Sequence, residues 1–185
     1  MNSNSIIHFV GFNSRLNREE FIDQWTQYAK NFTSTPGSVT LQEKNGKQGR
    51  FNYISQHVFE EEDFRFSFMK DRASENFPEQ RGKVTMLGGY SPARIGHTTW
   101  REKTEIKVLV FLTNDRTDAE YFPSLYQTSS LNIYEPFYEN CVYSRIVELF
   151  YSKAAFAAIS DELLKRKDGE EISIYDRCRI PSLVS

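Results

Sequence analysis

Two segments of this chain are apolar on both faces, and that narrows the folds open to it more than any other feature. Ile6–Phe12 (IIHFVGF) and Glu105–Leu112 (EIKVLVFL) are short and rich in β-formers. In the first, Ile6, His8, Val10 and Phe12 alternate with Ile7 and Phe9. In the second, Val108, Val110 and Leu112 alternate with Leu109 and Phe111. Neither parity gives a hydrophilic side. A strand apolar on both faces is covered on both. An antiparallel sheet that carries helices on one face therefore needs a second sheet against the other.

The rest of the chain supplies those sheets and helices in a repeating order. After the first strand, Asn17 and Glu20 have capping-box spacing, and Phe21, Trp25, Tyr28, Ala29 and Phe32 follow on one face of an amphipathic helix. Pro36-Gly37 ends it. Ser38–Glu43 and Phe51–Phe59 read as a hairpin around Asn45-Gly46. Phe64, Phe68 and Met69 suit a short helix behind the acidic run Glu60-Glu61-Glu62-Asp63, and Lys83–Leu87 reads as a fourth strand. Residues 88–104, with Gly88-Gly89, Pro92 and Gly96, have no apolar period and read as a link. The order then restarts. Glu105–Leu112 is a strand, Thr117 to Glu120 repeats the cap spacing, and Tyr121, Phe122 and Leu125 carry a short helix. Asn132–Asn140 and Ser144–Tyr151 form a hairpin, Lys153–Lys167 a helix with Phe156, Ile159, Leu163 and Leu164 on one side, and Glu171–Cys178 a last strand.

The halves overlay with drifting offsets: Val10 on Val110 at 100, Ile54 on Ile146 and Phe64 on Phe156 at 92, Val84 on Ile172 at 88. The expected fold is thus α+β: a first ferredoxin-like βαββαβ repeat at 1–87, a link at 88–104 and a second repeat at 105–185. The two pack inside one polypeptide as the subunits of a dimeric α+β barrel do. Such a chain closes on itself, so monomer and homodimer both stay open.

Charge and motifs exclude several function classes. With a net charge of −2 and a pI near 6.0, there is no basic face for nucleic acid or another polyanion. The start of the chain has no secretory pattern, and no apolar run approaches the ~18 residues of a membrane span, so a cytoplasmic protein is expected. Cys141 and Cys178 form no framework and read as reduced thiols, one bridge between them being the alternative. No GxGxxG, GxxxxGK[ST], HExxH or GxSxG occurs. The aromatic content, 15 Phe and 10 Tyr, suits either a core or a ligand cavity.

Phe21, Trp25, Tyr28, Pro36 and Gly37, set behind a first strand and ahead of a second, resemble the opening of the dimeric α+β barrel superfamily. They are most similar to its EthD and antibiotic-biosynthesis-monooxygenase types. The resemblance covers the first half of the chain, and the second half only by element order. It implies a pocket between sheet and helices in each repeat. Members include cofactor-independent oxygenases on polyketide phenols, haem-degrading enzymes, small isomerases and decarboxylases, and proteins with no known reaction.

On this reading a small apolar or aromatic molecule binds in the first repeat, since Leu125 and Leu149 stand where a second Trp25 and His57 would be. His8 and His57 lie on strands that neighbour each other in a βαββαβ unit. Together they can serve as a general base, as a haem-iron ligand, or as buried structural residues. Trp25 and Tyr28 line the pocket or form the core face of the helix, Phe9 adds an aromatic wall, and Asn52, Gln56 and Tyr53 orient a polar group or face solvent at a sheet edge. His97, in the link, is expected to be exposed. The acidic run lacks metal-ligand spacing, so no metal is expected. Two classes of function remain: a cofactor-independent oxygenase or isomerase, with haem as the one candidate cofactor, and a non-catalytic ligand-binding or protein-interaction barrel.

Overall fold

The apolar alternation of the first strand is met by two different partners. In the computed structural model, which describes residues 5–29, 39–60, 83–101, 103–114, 122–165 and 170–178, β1 (Ser5–Phe12) is buried along its whole length. Val10 and Phe12 face helix α1 (Arg18–Ala29), while Ile7 and Phe9 face the interior of a closed barrel. β5 (Glu105–Leu112) splits the same way. Val108, Val110 and Leu112 pack toward the short helix α2 (Phe122–Leu125) and α3 (Lys153–Leu163), and Leu109 and Phe111 fill the lumen. Burying each of these side chains stabilises the fold by about 1.5–3 kcal/mol.

The remaining strands are β2 (Val39–Asn45), β3 (Tyr53–Glu60), β4 (Val84–Ile95), β6 (Leu131–Pro136), β7 (Arg145–Ser152) and β8 (Glu170–Arg177). All pair antiparallel, around the barrel in the order β1-β3-β2-β8-β5-β7-β6-β4. Two seams, β2 with β8 and β4 with β6, join strands of the first half to strands of the second. The α+β class and the sheet-against-sheet burial expected from the sequence are both present, with the sheets closed into one barrel.

Local chemistry sets the helix ends. Asn17 Oδ1 accepts from the Glu20 N–H at 3.0 Å and starts α1, and Ser152 Oγ accepts from the Ala155 N–H at 3.1 Å and starts α3. The expected helix around Phe64, Phe68 and Met69, the turn at Pro36-Gly37, Phe32, and the cap at Thr117–Glu120 with Tyr121 all lie outside the described residues.

The strand expected at Asn132–Asn140 ends at Pro136, and the largest difference from the sequence reading is in β4. The strand expected at Lys83–Leu87 runs on to Ile95, so residues 88–95 are sheet and only 96–104 connect. The reason is the seam: residues 90–95 pair with β6 and close the barrel. Gly-rich sequence hid this because the strand bends. Gly88 sits at φ +117 where the β1–β4 register slips between Phe9 and Val10. A Cβ there would stand 2.5 Å from Cys141 Sγ and 3.0 Å from its Cα. Gly88→Ala is therefore expected to destabilise the protein by roughly 1–3 kcal/mol, read as a lower urea midpoint with an unchanged m-value.

Both cysteines are free thiols. Burial raises the pKa of each, that of Cys178 to about 12, so neither is a ready thiolate. Among the described residues no helix is long and apolar enough to cross a membrane.

Candidate functional site

His8 and His57 do meet. They are directly paired across β1 and β3, with ring centroids 6.2 Å apart, and both are fully buried under α1. Ser55 Oγ lies 2.7 Å from His57 Nε2 and accepts from Trp25 Nε1 at 3.2 Å. The Tyr28 ring is 5.8 Å from His57. Tyr53, on the same face, stacks on Phe21 at 4.0 Å. Asn52 is elsewhere, donating from Nδ2 to the Ser14 carbonyl at 3.1 Å in the loop before β3. Phe9 points the other way, into the lumen, edge-on to Tyr90 and Tyr134 at 5.6 and 5.5 Å. The described residues do not fit haem here. Both imidazoles are fully buried, the Tyr28 ring lies against His57, and His57 Nε2 is engaged by Ser55. Among these residues, no group of three or more His, Cys, Asp or Glu gathers to hold a metal.

A different site opens at one end of the lumen. Most of the barrel interior is packed with rings, and two of its phenols donate to backbone, Tyr90 OH to the Tyr143 carbonyl at 3.1 Å and Tyr175 OH to that of Phe51 at 3.2 Å. Toward the other end the lumen-facing positions turn polar, and a cavity of about 230 Å³ lies there. Its floor is an ion pair between Lys107 of β5 and Glu148 of β7, each about 5% exposed. Glu148 is fully satisfied. Oε1 takes the Lys107 ammonium and Gln56 Nε2 (2.5 Å), and Oε2 takes Tyr134 OH (2.6 Å) and Asn132 Nδ2 (3.0 Å).

This carboxylate orients the amides around it. It can only accept, so Gln56 must present its nitrogen to it. Gln56 Oε1 then faces away, taking Gln42 Nε2 at 2.5 Å, Thr40 Oγ1 at 3.3 Å and Lys107 Nζ at 3.4 Å. Asn132 turns its oxygen to the His97 N–H at 3.0 Å. Aromatic rings close the wall: Lys107 Nζ is 5.5 Å from the Trp100 centroid and 5.8 Å from that of Phe150.

Burial lowers the Lys107 pKa, against the pull of Glu148. Burial pushes the Glu148 carboxyl up, but the Lys107 charge and the hydrogen bonds from Lys107, Tyr134 and Asn132 outweigh it and hold the pKa below the ordinary carboxylate value of 4.5. With the folded pKa below the unfolded one, this group's contribution is complete above the ordinary value and is lost as pH falls through the depressed one. Denaturant melts from pH 7 downward should thus show stability declining below about pH 4.5, with a shallower acid limb in Glu148→Gln.

His97 corrects an expectation. It lies in the connection after β4 but is not exposed. It stacks on Phe150 at 4.2 Å, lies 3.2 Å through Nε2 from Glu105 Oε2, and lines the cavity. Lys107, Glu148, Gln42 and Asn132 escaped the sequence reading, whereas Gln56 is among the strand residues expected to orient a polar ligand group, and it does line the cavity. A signal was present: each of β5 and β7 carries one charge inside an apolar run, Lys107 in EIKVLVFL and Glu148 in RIVELFYS. A lone charge in a strand buried on both faces requires a partner.

No protein-family model matches the sequence, and no curated protein does. Solved structures do. An anthrone oxidase-like protein superposes with a TM-score of 0.62 at 10% identity, over 96% of this chain and 92% of its own. The fold is that of the dimeric α+β barrels. A proposed monooxygenase from Lactobacillus acidophilus NCFM matches at a TM-score of 0.53 and 13% identity over 94% of each chain. A mutant chlorite dismutase from Candidatus Nitrospira defluvii matches at 0.53 and 10%, over 95% of this chain and 93% of that one. At such identities the likeness is one of fold.

Proposed function

We propose that this protein binds a small, partly aromatic molecule at the polar mouth of the barrel lumen. The observation that carries this is the Lys107–Glu148 pair, buried at the floor of the cavity. A buried ion pair is a poor stabiliser, because desolvation offsets its attraction. Placed where apolar side chains would pack as well, it is better explained by recognition of polar atoms on a ligand. Trp100, Phe150 and Ile95 in the lining supply surface for a ring.

The lumen mouth draws on both halves of the chain, and the halves support the finer reading of two fused ferredoxin-like repeats. Ile7 pairs with Val58 as Lys107 pairs with Phe150, and Thr40 with Gln56 as Asn132 with Glu148. These are the offsets of 100 and 92 read from the sequence. The last strands correspond differently: Val10 faces Met86 where Val110 faces Ile172, a shift of two from the Val84–Ile172 overlay. On this reading the first repeat ends with β4, and residues 96–104 join it to the second.

The pocket expected under α1 is the second reading. It is favoured by the direct pairing of His8 with His57 beside Trp25 and Tyr28. Either site suits a cofactor-independent oxygenase or isomerase of the EthD or antibiotic-biosynthesis-monooxygenase kind, or a barrel that only binds.

A thermal-shift screen against phenols, quinones, polycyclic aromatics and haem tests both. A ligand at 100 times its dissociation constant adds about 2.7 kcal/mol. A shift lost in Gln56→Leu and kept in His57→Gln supports the lumen mouth, and the reverse supports the α1 face. No shift with any class overturns small-molecule binding and leaves the protein-interaction barrel.

A further inference from the structure

We infer that His97 and Glu105 form an acid–base dyad at the lumen mouth, which transfers a proton to and from a bound ligand whose carbonyl group has an enolisable α-carbon. The inference rests on the lumen mouth being the ligand site.

The imidazole is held from three sides. The chain leading into it is tied to β6, the Gly96 N–H to the Leu131 carbonyl at 2.9 Å and the His97 N–H to Asn132 Oδ1 at 3.0 Å. The ring stacks on Phe150 of β7 at 4.2 Å, with 27° between planes. Its Nε2 lies 3.2 Å from Glu105 Oε2, the first residue of β5. That oxygen also accepts the Arg101 N–H at 2.7 Å, so the carboxylate is itself fixed.

The chemistry follows from what a carboxylate can do. Glu105 accepts, so the proton of the neutral imidazole resides on Nε2 and the lone pair on Nδ1. Among the described residues Nδ1 has no hydrogen-bond partner, and it is not sealed from solvent. The two side chains are 16% and 17% exposed, partly shielded yet within reach of the cavity that His97 lines. An oriented imidazole with a carboxylate behind it and an open nitrogen ahead is the arrangement of a general base. The cavity lining carries two basic side chains, Lys107 and Arg177, against one carboxylate, Glu148. That excess favours an anion, which is what proton removal leaves.

The step balances without an oxidant. Nδ1 takes a proton from the carbon next to a carbonyl. The C–H electron pair forms the new C=C bond, and the carbonyl π pair moves to oxygen as an enolate. The imidazolium, steadied by Glu105, then returns the proton to carbon or to oxygen.

β-Tetralone is a suitable probe, being a small bicyclic ketone with an acidic benzylic position. Deuterium exchange at that carbon is followed by proton NMR in D₂O with the full chain, against free imidazole at equal concentration, and binding is measured separately by thermal shift. The wild-type protein is expected to bind β-tetralone and to accelerate exchange. His97→Gln should lower the rate by roughly 100-fold or more with affinity and melting temperature kept. His97→Asn serves if the first variant is unstable. Glu105 is a positioning residue, so Glu105→Gln should lower the exchange rate of the bound ketone while its dissociation constant holds. Binding without acceleration, or exchange untouched in both His97 variants, overturns the dyad and leaves the lumen site standing. Neither binding nor exchange overturns both for ketone ligands.

Discussion

Glu148→Ala is expected to destabilise the barrel by about 3–5 kcal/mol, among the largest effects of any single substitution in this chain. The alanine removes the acceptor for Lys107, Gln56, Asn132 and Tyr134 at once, and leaves an ammonium buried at the bottom of the lumen. Urea denaturation at pH 7 measures it. The informative comparison is the double variant Lys107→Met, Glu148→Met, which removes both charges and keeps the volume. Its stability should equal or exceed that of the wild type, by up to about 4 kcal/mol, while thermal-shift responses to lumen ligands disappear. If the double variant is as unstable as Glu148→Ala, the pair is a stability device and the case for a ligand site at the lumen mouth weakens sharply.

Trp25→Ala is expected to cost about 3–5 kcal/mol by a different route. Trp25 is fully buried among Val10, Phe12, Phe21 and Tyr53, where α1 seals one outer face of the barrel. Truncation leaves a cavity that a sheet cannot collapse to fill. Trp25→Phe separates packing from hydrogen bonding. It keeps most of the ring but removes the Nε1 donor to Ser55, and should cost about 1–3 kcal/mol, since Ser55 is buried against His57. With ligand bound at the lumen mouth, Trp25→Phe should leave affinity unchanged. A loss of binding would transfer the site to the face under α1.

The sequence was most informative where a residue's neighbours along the chain decide its environment. β1 and β5 were recognisable because both parities are apolar, α1 because Phe21, Trp25 and Tyr28 recur at helical spacing, and α3 by the same periodicity. That His8 and His57 lie on neighbouring strands was also legible from the strand order, although their direct pairing depends on a register that the order alone does not set. What stayed hidden depends on which strands meet across a seam. Residues 88–95 look like a glycine-rich link until β6 is there to pair with them. His97 looks exposed until Phe150, more than fifty positions later, comes to lie under its ring. The lumen mouth is assembled from all eight strands, each giving one or two residues, and from His97, Thr98 and Trp100 of the connection after β4, so no local pattern announces it.

On the proposed reading of two fused repeats, the matched registers of their strands carry a consequence for how such a pocket can evolve. In an assembly of two identical chains every substitution appears twice, related by a two-fold axis, and an interior site on that axis must suit both copies. Here the equivalent positions are separately encoded. Ile7 stands where its counterpart is Lys107, and Gln56 where its counterpart is Glu148. An identical-chain version would bury two ammoniums and two carboxylates around one axis, or none. Placing both halves on one polypeptide breaks that symmetry, and lets a single lysine and a single glutamate share the interior with neutral residues at the rotation-related positions.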